Sequence, residues 1–214
     1  MHSNSDDKDR AEWKIDFDSL TGGPDRTLNP NISDLVRPAS TKDLAAVVYS
    51  ILEYGMGRER GYFALFEGPP DSPKLLWQPE WLPCTGYLNV IQWIDDDRYV
   101  VVHACLTDDS RKWIEFPFVF VDVEQQQFAY FSFTFACIAY IESTGSGWII
   151  REDTKDPRFP SRDGEQIDPL ALKWLPWSQI NQLRSLYWKE VNEAAGRNVK
   201  KTWFRKLIGS IFKS

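Results

Sequence analysis

The chain carries two histidines, two methionines and three cysteines in 214 residues, and each scarcity narrows the chemistry available. Cys84, Cys105 and Cys137 are odd in number and widely spaced, with no CxxC pair and no Cys/His cluster. That spacing supports neither a disulfide framework nor a zinc site, so three buried free thiols in a reducing compartment are expected. His103, in "YVVVHACL", is the only histidine away from the N-terminus. Cys105 shares its strand face, yet no nearby residue orients the imidazole or forms an oxyanion site, and His103 reads as structural. "TGSGW" has two glycines but neither a P-loop lysine nor GxGxxG spacing, so phosphate cradles are missing. No run approaches ~18 uninterrupted apolar residues, which argues against a spanning helix. The first twenty residues, "MHSNSDDKDRAEWKIDFDSL", lack an apolar h-region, and a cytoplasmic location is the expectation.

Aromatic residues are what the chain has in excess. They make up 14% of it, with ten tryptophans and thirteen phenylalanines, and 43% of all residues are hydrophobic. A solid core follows, and global disorder is excluded. Large aromatics serve cores and interfaces alike, so a sticky surface is also open. Net charge is −6, unevenly placed. From residue 196 onward there are six basic residues and no acid, which leaves 19 basic against 31 acidic side chains, or −12, on the rest. An acidic body argues against nucleic acid, whose phosphates require clustered Lys and Arg. It suits a basic protein partner drawn in by long-range attraction.

Three segments are expected: a polar, partly irregular stretch over 1–38, one α+β domain over 39–196, and a basic amphipathic helix over 197–214. In the first, Trp13, Ile15 and Phe17 alternate as one short strand would. A helix over 40–54 follows: Ser40 and Asp43 resemble a capping box, and Leu44, Val47, Val48, Ile51 and Leu52 form one apolar stripe closed by Gly55. Next come "YFALFE", "KLLWQ", "YLNVIQWI", "YVVVHACL", "WIEFPFVFVDV", "FAYFSFTFACIAYI" and "GWIIRE", separated mostly by turn residues. The spacing predicts an antiparallel meander of five to seven strands over about 62–151, because the connections are too short for crossover helices. Phe131, Phe133 and Phe135 alternate with Ser132 and Thr134, giving one aromatic face. Pro117 marks its run as an edge strand or a bulge. A closing helix is expected over 178–195, with Ser178 as N-cap and Ile180, Leu183, Tyr187 and Val191 at helical spacing. The fold class is thus α+β: a meander flanked by an N-terminal helix and C-terminal helices.

Candidates for chemistry are few. Asp95, Asp96 and Asp97 lack the alternating spacing of a calcium loop and read as a solvated hairpin turn. No cofactor or metal is indicated, and no catalytic residue stands out. Three classes of function remain. One is a non-catalytic binding or neutralising protein acting through an acidic, aromatic-rich surface, in character like the small acidic α+β proteins that inhibit a cognate toxin. Another is a peripheral membrane protein held by its tail. The last is a hydrolase whose site is assembled from scattered carboxylates. For the tail, a helical wheel at about 100° per residue places Trp203, Phe204, Leu207, Ile208, Ile211 and Phe212 on one half, and Arg205 and Lys206 on the other. Those eight residues are the candidate contacts, toward a protein partner, the protein's own body or an anionic membrane surface.

Overall fold

A computed structural model describes residues 12–22, 32–53, 59–80, 82–85, 91–106, 117–131, 139–152, 161–190 and 192–193. These are mainly β. Strands β1 (Ser33–Pro38), β2 (Leu44–Glu53), β3 (Glu59–Glu67) and β4 (Lys74–Trp77) form one sheet in that order, and β5 (Pro83–Thr85) pairs with β3 beside β4. A second sheet starts with β6 (Ile91–Ile94), β7 (Tyr99–His103), β8 (Phe118–Asp122) and β9 (Gln127–Phe131). A third contains β10 (Ala139–Thr144), β11 (Gly147–Glu152) and β12 (Gln166–Ile167). The chain then returns as β13 (Leu175–Pro176) to pair with β9 on the second sheet. Every pairing is antiparallel. Short 3-10 turns occupy Phe17–Ser19, Pro169–Ala171 and Trp177–Gln182, and one helix, α1 (183–190), follows. Two compact units result, Met1–Ile180 and Asn181–Ser214.

The expected helix over 40–54 is instead strand β2, and the α+β class gives way to a mainly β one. The reason is burial on both faces. Ala45 through Ile51 are all buried, and a strand covered on both sides reads as a continuous apolar run, not an alternating one. Any 3.6-residue stripe can be drawn inside such a run. Val47, Val48, Tyr49 and Ile51 are themselves strand-favouring types, and that preference wins once β1 and β3 supply ladders on either side. Ser40 and Asp43 cap nothing helical; the main-chain carbonyl of Asp43 accepts from the amide of Gly68 at 2.9 Å.

Other expectations shift similarly. β8 is interior, between β7 and β9, so Pro117 marks no edge. It stands just before the strand, where its missing N–H breaks no ladder, and its carbonyl accepts from Ala104 at 3.0 Å. The run "FAYFSFTFACIAYI" holds two strands, β9 and β10, in different sheets. Phe133 and Phe135 lie outside the described residues. Trp13, Ile15 and Phe17 do alternate between half-buried and exposed neighbours, but without pairing as a strand. They lie with Leu20 over Val47, Tyr49, Ala64 and Phe66 of the first sheet, as an irregular apolar cover.

A second core joins the other two sheets. Ile94, Tyr99, Val101, Phe118 and Phe120 pack against Ala139, Ile141, Trp148, Ile150 and Ile167. Indoles bury well only when the N–H finds an acceptor. Here Trp93 donates to the carbonyl of Arg37 at 2.7 Å, Trp174 to Pro169 at 2.9 Å and Trp177 to Gln127 at 3.1 Å. All seven described tryptophans are buried or half-buried. Trp77 and Trp177 stack, with ring centroids 4.4 Å apart and planes 11° from parallel. Two indoles so close couple their transitions, and Trp77→Phe is expected to abolish an exciton couplet in the circular dichroism of the native protein. An unchanged spectrum would contradict the stack.

Candidate functional site

Three turns meet at one end of the second sheet: residues 39–43 between β1 and β2, 95–98 between β6 and β7, and 123–126 between β8 and β9. The middle one has an unusual backbone. Asp95, Asp96 and Asp97 are all left-handed, with φ of 52°, 52° and 61°. Asp tolerates that region better than most residues because its short side chain bonds locally or to a neighbour. Asp97 is buried, and its Oδ2 accepts from both the amide and the hydroxyl of Thr41. Asp95 accepts from Trp148 Nε1 at 2.8 Å and from the Ser143 hydroxyl, which ties the turn to the third sheet. Only Asp96 is exposed. The expected solvated turn is therefore a turn with two of its three carboxylates committed to the fold.

The third turn uses a carboxylate the sequence did not single out. Asp122 is 3% exposed; its Oδ1 accepts the amides of Glu124 and Gln125 at 3.0 and 2.9 Å, closing the turn. Its Oδ2 accepts Nη2 and Nε of Arg98 at 2.8 and 3.2 Å. That pairing holds the Arg98 guanidinium charged, raising its pKa. Lys42 reaches Glu124 at 2.8 Å and so links the first turn to the third. Asp43, Asp96 and Glu124 are the exposed acids at this end, and of these Glu124 is ion-paired, with Lys42 and with Arg98 at 3.8 Å. The first turn also walls an open cleft of about 290 Å³ with Trp13, Pro38 and Pro70.

The nucleophile and base candidates are placed elsewhere. His103 is buried in β7, with Nε2 donating to the carbonyl of Ala139 at 3.2 Å and its ring against Phe118 at 4.3 Å. Burial pulls its pKa down to about 4. Cys84 and Cys105 are buried thiols not joined in a disulfide, and burial pushes the Cys84 thiol well up, away from the reactive thiolate. Cys137 lies outside the described residues. No group of three His, Cys, Asp or Glu side chains able to hold a metal ion occurs among the described residues.

His103 carries a stability prediction. Its folded pKa lies below the ordinary 6.5, so the unfolded chain takes up a proton first as pH falls. Stability is then expected to drop between pH ~6.5 and ~4, by about 3 kcal/mol from this group. Urea unfolding of His103→Gln, which can still donate to Ala139, should show a flatter profile in that window. Parallel profiles would refute the assignment.

The wider surface of the first unit is predominantly acidic, with Arg37, Lys42, Arg98, Arg151 and Arg162 half-buried. Among its described residues twelve acids are exposed and only three lysines. One of those three, Lys14, pairs with Asp71 at 2.7 Å. Large exposed apolar residues are Leu75, Tyr140 and Leu170. The candidate tail contacts Trp203, Phe204, Arg205, Lys206, Leu207, Ile208, Ile211 and Phe212 lie outside the described residues. No helix among the described residues is long and apolar enough to cross a membrane. Comparison with protein-family models, with curated proteins and with solved structures finds no match.

Proposed function

We propose that the protein is a non-catalytic binding protein that covers and neutralises a basic protein partner, in the manner of an immunity or inhibitor protein, in the cytoplasm. The observation that carries this reading is the excess of twelve exposed acids over three exposed lysines on the first unit. A field of one sign speeds encounter with the opposite sign and disfavours nucleic acid. Asp43 and Asp96 stand on turns braced from beneath by Asp97, Asp122 and Arg98, so they present charge with little conformational loss on binding, while Glu124 is already paired with Lys42. Recognition rests on carboxylates more than on aromatic anchors, because the described tryptophans point their area inward. A non-catalytic role agrees with His103 and Cys84 being held neutral, and with Asp95, Asp97 and Asp122 being committed to internal donors.

The test begins with a native pull-down to identify the partner, followed by titration calorimetry at two salt concentrations. Affinity is expected to fall at least ~10-fold between ~50 mM and ~500 mM salt, as the screening length shortens. A variant with Asp43→Lys, Asp96→Lys and Glu124→Lys should lose a similar factor at low salt. Affinity indifferent to both changes would overturn the proposal.

The second reading, attachment to an anionic membrane surface, rests on the segregation of Trp203, Phe204, Leu207, Ile208, Ile211 and Phe212 from Arg205 and Lys206 in the sequence. Sedimentation with anionic vesicles separates the two readings. The full chain should pellet and a chain ending at Gly196 should not; if both stay in the supernatant at low salt, the membrane reading fails.

A further inference from the structure

We draw no further inference here: the strongest candidate, the acidic cluster on the turns at 39–43, 95–98 and 123–126, belongs to the site already described.

Discussion

Trp148→Ala is expected to lower the unfolding free energy by about 4 kcal/mol, the scale of a large aromatic removed from a packed core. The side chain is 1% exposed and sits where the second and third sheets meet. It stacks on Phe120 with centroids 4.6 Å apart and meets Tyr99 edge-on at 5.0 Å. Its N–H also holds Asp95. Truncation therefore empties a cavity between sheets and removes a charge-assisted donor from the strained turn. Trp148→Phe separates the two effects. It keeps most of the ring area and loses the hydrogen bond, for which ~1.5–3 kcal/mol is the usual range to a charged acceptor, together with the smaller packing loss of the part of the indole that Phe does not refill. Because Asp95 is half-buried and water can replace the donor, the lower end is expected. Urea denaturation of the three proteins gives both numbers. A Trp148→Ala protein within ~1 kcal/mol of the parent would mean that this core does not hold the sheets together. Since natural domains are stable by only ~5–15 kcal/mol, the alanine variant should also express poorly.

Strands β3, β4 and β6 to β11 were the legible part of this fold, and the punctuation made them so; β1, inside the stretch read as irregular over 1–38, and the short β5, β12 and β13 were not. "IDDDR", "VEQQQ" and "STGSG" do form the turns between β6 and β7, β8 and β9, and β10 and β11. The helix over 40–54 failed because "LAAVVYSIL" is buried on both faces, and continuous apolarity has no period to read. The division into three sheets was not legible either. It depends on side chains bonding across long stretches of sequence: the Gln92 amide pairs with both the amide and the carbonyl of Ile141, 49 residues away, and so splices β10 alongside β6. The same holds for the acidic turn. Its carboxylates were visible as a run, but whether they face water depends on Thr41 and Trp148, at distances of 56 and 53 residues. Composition revealed that tryptophan was abundant and could not reveal that Trp93, Trp148, Trp174 and Trp177 would be used as hydrogen-bond donors. The charge asymmetry, by contrast, needs no contact to be read. The exposed acids of the first unit are the form it takes.

Gly61→Ala is expected to cost at least ~3 kcal/mol, although it adds a single methyl group to a buried strand; overpacking alone typically costs ~1–3 kcal/mol. Tyr49 pairs with Tyr62 and Leu52 with Arg60, so Ser50 and Ile51 of β2 together oppose the one residue Gly61. That is a β-bulge. Ser50 takes the left-handed conformation there, with φ of 53°, and its amide is satisfied by Asp34 Oδ1 at 2.8 Å. The bulge closes onto β3 only because position 61 has no side chain. A Cβ at Gly61 would lie 2.5 Å from Val48 Cγ1, 2.9 Å from Ile51 Cγ1 and 2.9 Å from the main-chain oxygen of Tyr49. The Val48 methyl and the Ile51 methylene belong to stiff β-branched side chains, and the oxygen cannot rotate away. β2 or β3 must therefore move, and β5, which pairs with Gly61 through Cys84, moves with it. A double-mutant cycle with Val48→Ala tests this account by urea unfolding. Removing the Val48 methyl groups should recover only part of the loss, because the Ile51 and main-chain contacts persist. Full recovery would show that one side chain, and not the closed bulge, reserves this position for glycine.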